Sequence, residues 1–453
     1  MRIHLIATGG SAMHNLAIAL HCNHHTVSGS DDEIYNPAKE RLAKHGLLPE
    51  EMGWNPNRIT KDLDLIILGM HARPDNPELK RAKKLKIKIF SYPEFLYLHA
   101  KDKTRLVVAG SHGKTSTTSM IMHVLRYLKK DFDYMVGAQL EGFDQMVHLS
   151  DAPLIVIEGD EYLSSPIDLR PKFLHYKPHI AIITGIAWDH INVFPTFKGY
   201  VSQFQTFIES MQEKGQLFYY ANDPHLKKIM KGYKGTLKTE AYEAFPYEVE
   251  GGKTIVRNEK NKGVTLPIFG LHNMENLKAA HLACQQTGIE TADFLKAIKS
   301  FKGAAKRLEL LKKNKTGGEA FLDFAHAPSK VKATTNAMRS RAGKQPVIAC
   351  LELHTFSSLN KKFLGQYKGS LDAADKAFVY FSEHTLKMKK LKPITKEEVA
   401  KAFAHKNIRV FTENDKMVAA LKRFNWKDKK LLMMSSGTFS GLDLKKLAKG
   451  LIE

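Results

Sequence analysis

Cysteine is scarce in this chain of 453 residues, which has only Cys22, Cys284 and Cys350, far apart in the sequence. So few scattered thiols suggest neither a disulfide framework nor a zinc-ligand spacing, and we expect a reducing compartment, the cytoplasm. No run approaches the ~20 apolar residues that a membrane-spanning helix needs. The first residues pass directly into a strand pattern that Gly9 and Gly10 interrupt, so we expect no signal peptide and no membrane partner.

Acidic residues are outnumbered, since 69 lysines and arginines against 47 aspartates and glutamates give a formal net charge of +22. A basic surface attracts phosphate groups, so nucleic acid is one candidate partner. The lysines are scattered in separate pairs, however, and the sequence has no basic tail, zinc finger or aromatic RNA-binding motif. We therefore expect a solvated basic surface that also attracts small anionic substrates, and no nucleic-acid partner.

The alternation of strand-like and helical patterns predicts an α/β protein built from three blocks. In the first block, apolar runs at 3–7, 25–28, 63–68 and 87–90 alternate with helical patterns such as 13–20. This order favours a parallel, doubly wound sheet.

The second block begins near Lys103, and the third follows a hinge-like segment, Phe301-Lys302-Gly303. The predicted strands of the second block are 105–109, 154–157 and 180–184, and those of the third are 320–324, 347–351, 377–381 and 431–435. Short β runs across 216–265 predict an antiparallel excursion between them, and 270–288 has a helical pattern.

The turn after the first strand has the composition of a phosphate-binding turn without the full glycine fingerprint. It reads Thr8-Gly9-Gly10-Ser11-Ala12-Met13 and opens a helix, so its backbone N–H groups would face a diphosphate. Asp31 follows about 20 residues later, where an acidic residue often binds a ribose hydroxyl. A plain turn and a surface aspartate fit this pattern equally well.

A second glycine loop carries the stronger signal, because a strand pattern precedes it and a helical pattern follows it. The loop is Gly110-Ser111-His112-Gly113-Lys114-Thr115-Ser116. Its glycines allow close backbone approach to phosphates, its lysine reaches the β- and γ-phosphates, and its threonine hydroxyl binds Mg²⁺. Val108 stands where the usual form of this motif has its first glycine. The loop predicts ATP binding.

Two polar segments follow other predicted strands of the second block. Glu158-Gly159-Asp160-Glu161 comes directly after 154–157, and Asp189-His190 comes soon after 180–184. Ligands bind beyond the carboxyl ends of the strands in such sheets, and Mg²⁺ is usually held by carboxylates together with substrate phosphates. With the glycine loop present, a metal-ligand role for Glu158 is favoured over that of an acidic loop cap.

Five motifs in this order resemble those of the Mur ligase family, ATP-dependent enzymes that build the peptide stem of bacterial peptidoglycan. They are the loop at 110–116, Glu158-Gly159-Asp160-Glu161, Trp188-Asp189-His190, His272-Asn273-Met274-Glu275-Asn276 and Asp323-Phe324-Ala325-His326. The resemblance covers essentially the whole chain and implies three domains. These are a Rossmann-like domain for a UDP-sugar (1–102), a central P-loop ATPase-like sheet with helices on both faces (103–303), and a Rossmann-like domain that takes the amine substrate and closes over the nucleotide (304–453).

The resemblance also implies ATP and two Mg²⁺ ions as cofactors and a role for each matched residue. The residues that would contact ATP are Gly110, Ser111, His112, Gly113, Lys114, Thr115, Ser116, Asn273, Asn276, Arg307 and Asp323. Those that would bind metal are Thr115, Glu158 and His190, and those that would bind the UDP-sugar are Gly9, Gly10, Ser11, Ser30 and Asp31. The residues implied to be catalytic are Lys114, Glu158, His190, Arg307 and His326.

The reaction implied is amide formation between UDP-N-acetylmuramate and an amino acid or tripeptide. A carboxylate would attack the γ-phosphate, and an amine would attack the resulting acyl phosphate. His326 and His190 both remain candidates for the base that deprotonates the amine. The position of a carbamylated lysine in some relatives falls near Phe204, so we predict no carbamate here.

Two segments favour a tripeptide, L-alanyl-γ-D-glutamyl-meso-diaminopimelate, over L-alanine as the amine. They are 161–176, with Asp168, Arg170 and Lys172 at the spacing of tripeptide-joining members, and the turn 435–441. Two departures from the pattern of tripeptide-joining members weigh against this choice. The segment around His354 lacks an arginine that they have near this position, and Asn192 stands where many relatives have aspartate. A nucleic-acid-stimulated ATPase and a nucleotide-binding scaffold without turnover are the alternatives from other classes.

Overall fold

The computed structural model describes residues 1–188, 191, 193–258 and 261–453. It confirms the predicted α/β class, with parallel strands joined by helices in most of its sheets. The chain divides into two compact units, the first of which comprises Met1–Ile186, Lys198–Tyr242 and Ala279–Glu290. The second comprises Ala187–Phe197, Glu243–Lys278 and Thr291–Glu453. The domain limits at 102 and 303 stay a prediction. Within the described ranges, no helix is both long and apolar enough to cross a membrane.

The first sheet, in unit 1, has four parallel strands in the order β2-β1-β3-β4. The strands are β1 (Arg2–Ile6), β2 (Thr26–Ser30), β3 (Leu65–Leu68) and β4 (Lys88–Ser91), and the helices are α1 (Ser11–Cys22), α2 (Ala38–Lys44), α3 (Pro77–Lys84) and α4 (Tyr92–Ala100). The central strands β1 and β3 are almost wholly buried, as continuous apolar runs in a covered parallel sheet should be. Helix α4 begins at a capping box in which Ser91 and Glu94 exchange backbone and side-chain hydrogen bonds.

The second sheet of unit 1 has seven strands in the order β13-β12-β11-β5-β8-β6-β7, all parallel except β7. They are β5 (Thr104–Ala109), β6 (Asp133–Met135), β7 (Val147–His148), β8 (Leu154–Glu158), β11 (Ile180–Ile183), β12 (Gln216–Tyr220) and β13 (Lys238–Tyr242). A hairpin of β9 (Leu163–Ser165) and β10 (Asp168–Pro171) lies outside this sheet, and the connecting helices are α5 (Lys114–Tyr127), α6 (Phe197–Glu209) and α7 (Pro224–Gly232). Strand β5 therefore lies between β11 and β8, and the carboxyl ends of all three point the same way.

The prediction of an antiparallel excursion across 216–265 is wrong for its first half. Strands β12 and β13 run parallel and extend the seven-stranded sheet, because helix α7 crosses between them. Asp223 caps that helix with its side chain and Pro224 occupies its first turn. The antiparallel part is confined to β14 (Tyr247–Glu250), β15 (Lys253–Arg257) and β16 (Gly263–Leu266), a three-stranded sheet in unit 2.

Unit 2 also holds a six-stranded sheet in the order β17-β18-β22-β19-β20-β21, parallel except for the pairing of β17 with β18. Its strands are β17 (Glu309–Lys313), β18 (Glu319–Asp323), β19 (Val347–Leu353), β20 (Lys376–Phe381), β21 (Ile408–Phe411) and β22 (Lys430–Met434). The remaining helices are α8 (Leu271–Gln286), α9 (Thr291–Ile298), α10 (Pro328–Ala342), α11 (Glu383–Met388), α12 (Lys396–Phe403), α13 (Asn414–Lys422) and α14 (Leu444–Leu451). All lie in unit 2 except α8, whose residues from Ala279 onward belong to unit 1.

Alternate residues of the six-stranded sheet pack into two separate cores. Along β19, Val347, Ala349 and Leu351 belong to one apolar cluster, whereas Ile348 and Cys350 belong to the other. Both faces of the sheet are therefore covered, which explains why β19 reads as a continuous apolar run in the sequence. The thiols of Cys284 and Cys350 are buried and that of Cys22 is exposed.

From a buried ion cluster at the start of β18, we expect the stability of unit 2 to depend on pH. Glu319 lies within 3.1 Å of both Arg341 and Lys430 and within 3.2 Å of Lys313. Burial alone would raise the pKa of Glu319, but the two best-buried cations, Arg341 and Lys430, lower it to about 2. A carboxyl whose pKa is depressed on folding stabilises the folded state above its unfolded pKa, and that contribution disappears as pH falls toward the folded pKa.

We expect Glu319→Gln to lower the free energy of unfolding by about 3 kcal/mol at pH 7, because it leaves buried cations without their carboxylate. The difference from the wild type should shrink as pH falls from 4.5, the ordinary pKa of a glutamate, toward 2. Urea unfolding of both proteins at pH 7, 4 and 3 measures it. Glu383→Gln, at an exposed position in the same unit, is the matched control. A difference that stays constant over this pH range would contradict the prediction.

Candidate functional site

The glycine loop at 110–116 joins the carboxyl end of β5 to the start of α5, as its sequence predicts. Gly110 has a φ of +126°, and a side chain there would clash with the Thr184 hydroxyl at the end of β11. That hydroxyl donates to the carbonyl oxygen of His112 and lies 3.2 Å from that of Ala109. Gly113 caps α5 with a φ of +81°, which few residues other than glycine adopt. The loop therefore packs against the end of the neighbouring strand β11, and the N-terminal turn of α5 follows directly after it.

Lys114, the first residue of α5, lies folded along this loop. Its ammonium donates to the carbonyl oxygen of Gly110 at 2.7 Å and to Oε2 of Glu161 at 2.5 Å. Burial lowers the pKa of Lys114, but the nearby carboxylates of Glu161, Asp160 and Glu158 more than offset this, so its pKa lies above the ordinary value. Lys114 is consequently a fixed positive charge beside the loop at neutral pH, the charge that a polyphosphate requires.

Thr115 and Glu158 are in contact beside the loop, so the structure brings two of the predicted metal ligands together. The hydroxyl of Thr115 donates to Oε1 of Glu158 at 2.9 Å, and the backbone N–H of Gly137 donates to Oε2 at 2.8 Å. Both side chains are buried, and Glu158 is the last residue of β8. An alcohol and a carboxylate are hard oxygen donors of the type that Mg²⁺ prefers.

Two functional neighbours of the loop were not predicted as site residues. Glu161 pairs with Lys114, and Tyr200 from α6 donates to Oε1 of Glu161 at 2.9 Å. The Tyr200 hydroxyl also lies 2.7 Å from that of Ser111 in the loop. Glu161 could have been found from its place in the acidic motif at 158–161. Tyr200 has no sequence signal beyond its position on an amphipathic helix, where an apolar core role is the ordinary expectation.

The predicted metal ligand His190 lies outside the described residues, together with Asp189 and Asn192. The chain leading to them is held in place. Gly185 follows β11 with a φ of +135°, and Asp223 accepts a hydrogen bond from the Ile186 N–H at 2.6 Å. The role of His190 stays a prediction, and so does the absence of a carbamate. Phe204 itself is fully buried among aromatic rings.

The role of the predicted UDP-sugar turn stays a prediction, and the structure shows a contact between Asp31 and Gly9. The Gly9 N–H donates to Oδ2 of Asp31 at 2.7 Å, and Gly10 precedes α1, which begins at Ser11. Burial raises the pKa of Asp31, and the bond from the Gly9 N–H offsets part of that rise. Ser30 behaves differently, because its hydroxyl donates to the buried carboxylate of Glu78. The structure therefore brings Gly9, Gly10, Ser11 and Asp31 together but directs the Ser30 side chain into the interior.

The N-terminal turn and the Glu158 carboxylate are connected within unit 1. Asn15 of α1 accepts a hydrogen bond from the Met146 N–H at 3.0 Å, and the Met146 carbonyl accepts one from the Val136 N–H at 3.0 Å. Val136 directly precedes Gly137, whose N–H binds Glu158. Arg41 of α2 adds hydrogen bonds to Gln139 at 2.6 Å and to Asn15 at 3.1 Å.

Unit 2 brings Arg307, Asp323 and His326 close to one another at the end of β18. The Arg307 guanidinium lies 4.8 Å from the centre of the Phe324 ring, which makes an edge contact with the His326 ring at 5.4 Å. Asp323 is buried and accepts hydrogen bonds from the backbone N–H groups of Leu308 and Ala325 at 2.8 and 2.7 Å. Asp323 thus fixes the two backbone segments that carry Arg307 and His326.

The predicted adenine contacts, Asn273 and Asn276, lie one turn apart on α8, and both are buried. The side-chain amide of Asn273 donates to the carbonyl oxygen of Phe269 at 2.8 Å, which holds the start of the helix. Desolvation lowers the pKa of neighbouring His272, and the Asp323 carboxylate partly counters this effect. The role of Asn273 and Asn276 in binding adenine stays a prediction.

Family models match most of the first two blocks of the chain. Residues 108–284 match the Mur ligase middle domain, and residues 2–104 match the catalytic domain of the Mur ligase family. A solved murein peptide ligase from Psychrobacter arcticus 273-4 has the same fold, with a TM-score of 0.68 at 23% identity, over 100% of this chain and 99% of that one.

Curated relatives extend the similarity over the full length. A UDP-N-acetylmuramate--L-alanyl-gamma-D-glutamyl-meso-2,6-diaminoheptandioate ligase of Escherichia coli (strain K12) is 30% identical, over 99% of this chain and 98% of that protein. A UDP-N-acetylmuramate--L-alanine ligase of Limosilactobacillus reuteri (strain DSM 20016) is 29% identical, over 83% of this chain and 84% of that protein. Together with the family models, the full-length relative shows that the chain belongs to the Mur ligase family of ATP-dependent ligases.

Proposed function

We propose that this ligase joins UDP-N-acetylmuramate to L-alanyl-γ-D-glutamyl-meso-diaminopimelate in peptidoglycan recycling. The observation that carries the proposal is the similarity to a ligase of that name over 99% of the chain. The segment 161–176 supports it from within the chain, because Asp168, Arg170 and Lys172 stand at the spacing of tripeptide-joining members. The use of ATP and of a UDP-sugar supports a cytoplasmic location for this reaction.

L-Alanine is the second candidate for the amine. Relatives named for L-alanine ligation match 83% of the chain at nearly the same identity. The segment around His354 also lacks the arginine expected there, and it lies in the part of the chain predicted to take the amine substrate. Both candidates share the UDP-N-acetylmuramate carboxylate and ATP, so they differ only in what attacks the activated carbonyl.

The mechanism begins with the carboxylate oxygen of UDP-N-acetylmuramate attacking the γ-phosphorus of ATP, with ADP leaving. The N–H groups at the start of α5 and the Lys114 ammonium would offset the charge on the phosphates. The amine nitrogen then attacks the acyl carbon of the acyl phosphate, inorganic phosphate leaves, and the amine proton passes to a base. Arg307 would act on the γ-phosphate, and His326 is one candidate for the base.

Mg²⁺ fits the residues present, because the Thr115 hydroxyl and the Glu158 carboxylate are 2.9 Å apart beside the glycine loop. When bound, the ion supplies Lewis-acid stabilisation of charge on the transferring phosphoryl group. Thr115 and Glu158 would hold the first ion, and His190 would hold a second. The N–H of Gly137 keeps the Glu158 carboxylate oriented for this role.

Replacing Lys114 tests the phosphate-binding part of the mechanism. We expect Lys114→Ala to lower phosphate release that depends on UDP-N-acetylmuramate and tripeptide by about 100-fold or more, since it removes charge stabilisation from the transition state. A phosphate-release assay measures this loss. Lys130→Ala, at an exposed position just beyond α5, should leave the rate unchanged. Wild-type turnover in the Lys114 variant would rule out this mechanism.

The identity of the amine is tested by offering both candidates. With ATP, Mg²⁺ and UDP-N-acetylmuramate held constant, we expect kcat/KM for the tripeptide to exceed that for L-alanine by about 100-fold or more, because a site shaped for a longer ligand gains binding energy that L-alanine cannot supply. Mass spectrometry of the nucleotide-sugar products identifies the amide formed. Product from L-alanine but not from tripeptide would establish the second candidate instead.

The metal assignment is tested through the concentration of Mg²⁺ required. We expect Glu158→Gln to raise the Mg²⁺ concentration for half-maximal rate by roughly tenfold or more, because a neutral amide is a weaker ligand than a carboxylate. Initial rates across a Mg²⁺ titration at saturating ATP provide the measurement. Glu213→Gln, exposed in the same unit, serves as the control. An unchanged Mg²⁺ dependence in the Glu158 variant would remove this residue from the metal site.

A further inference from the structure

The glycine loop is braced by two side chains from outside it, Glu161 and Tyr200, which come from separate segments of unit 1. Lys114 is bound to Oε2 of Glu161 at 2.5 Å, and Tyr200 donates to the other oxygen, Oε1, at 2.9 Å. Tyr200 also lies 2.7 Å from the Ser111 hydroxyl, so the connection returns to the loop. These contacts, which we call the loop brace, comprise Ser111, Tyr200, Glu161 and Lys114.

The loop brace is buried, which makes its geometry specific. Tyr200 is fully buried, and the Lys114 and Glu161 side chains are 12% and 1% exposed. An ion pair on the surface would be screened by water and would hold a flexible lysine weakly. A carboxylate that is buried and fixed by a tyrosine hydroxyl restricts the lysine to one direction. The four-carbon stem of Lys114 would otherwise have many rotamers to choose from.

The ammonium of Lys114 has three N–H donors. One is directed to the Gly110 carbonyl oxygen and one to Glu161, both along the loop. The third donor is therefore held at a defined angle by the other two. A lysine held in this way does not need to find its orientation when the triphosphate arrives, which lowers the entropic cost of forming the reactive complex.

We infer that Glu161, itself oriented by Tyr200, is a positioning residue that holds Lys114 in the direction needed for phosphoryl transfer. The inference rests on the proposed function, in which Lys114 offsets charge on the transferring phosphate. In this scheme Glu161 acts on Lys114 and not on a substrate, and its two oxygens accept hydrogen bonds from Lys114 and Tyr200. Its effect should therefore appear in kcat and in the ATP dependence but not in the binding of the UDP-sugar.

The opposite reading is that Glu161 competes with the triphosphate for Lys114. Both readings concern the same salt bridge, yet they predict changes of opposite sign. If Glu161 positions Lys114, removing its charge slows the reaction. If it competes, removing its charge tightens ATP binding and leaves kcat unchanged or higher.

The experiment compares Glu161→Gln, Tyr200→Phe and the double variant with the wild type in the phosphate-release assay. We expect Glu161→Gln to lower kcat/KM for ATP by roughly 10- to 100-fold, chiefly through kcat, with KM for UDP-N-acetylmuramate unchanged. Tyr200→Phe should lower kcat/KM for ATP by roughly fivefold, the effect expected from the loss of one hydrogen bond. Because Tyr200 acts through Glu161, the double variant should be no slower than Glu161→Gln alone.

Matched controls and a binding measurement separate this inference from its alternatives. Glu213→Gln and Tyr127→Phe repeat the same chemical changes at exposed positions of unit 1 and should behave as the wild type. Calorimetric titration with a non-hydrolysable ATP analogue reports nucleotide affinity without turnover. Tighter analogue binding by Glu161→Gln with undiminished kcat would overturn the inference, as would wild-type kinetics in that variant or additive losses in the double variant. A wild-type protein that binds the analogue but releases no phosphate with either amine would instead contradict the proposed function.

Discussion

The carboxyl ends of β5 and β11 approach so closely that a side chain cannot fit between Gly110 and Thr184, and the candidate ATP site depends on this approach. Thr184 binds the loop backbone, so the loop must turn at Gly110 and enter α5 at Lys114. The register of β5 with β8 on its other side then brings Glu158 beside Thr115. Lysine, threonine and carboxylate are thus placed by strand order rather than by contacts with a ligand.

A second consequence of this arrangement lies in the link from the N-terminal turn. The hydrogen bonds from Asn15 through Met146 and Val136 reach Gly137, which orients Glu158. The turn proposed to hold the UDP-sugar and the carboxylate proposed to hold Mg²⁺ are thereby connected through three hydrogen bonds, two of which involve the side chains of Asn15 and Glu158. Because such bonds are short and directional, the two positions are kept at a defined separation within unit 1.

Much of the fold was predictable because buried parallel strands are continuous apolar runs between turn residues. The runs in β1, β5, β8, β11 and β19 are of this kind, and the structure confirms a strand at each. The error at 216–265 has a physical cause. Strand direction depends on whether a helix crosses between two strands, and the Asp223-Pro224 start of α7 was the signal that was overlooked.

Side-chain partners were harder to predict than strands, because they depend on distances that a sequence does not contain. Glu158 was predicted from its position after a strand, whereas it is Glu161, three residues later, that accepts the hydrogen bond from Lys114. Tyr200 lies on α6, far along the chain, and only the tertiary packing shows that its hydroxyl reaches the loop. Ser30 shows the converse, since the resemblance implied that it binds the UDP-sugar, but its hydroxyl donates to the buried carboxylate of Glu78.

The distribution of the three thiols has a practical consequence. Burial raises the pKa of the Cys284 and Cys350 thiols well above the ordinary value, so neither forms a thiolate near neutral pH. Cys22, at the end of α1, is exposed. Since thiol-reactive reagents attack the thiolate, a maleimide dye would couple at the end of α1 alone. The natural chain can therefore carry one fluorescent reporter on the same helix that begins at the proposed UDP-sugar turn, without any engineered cysteine.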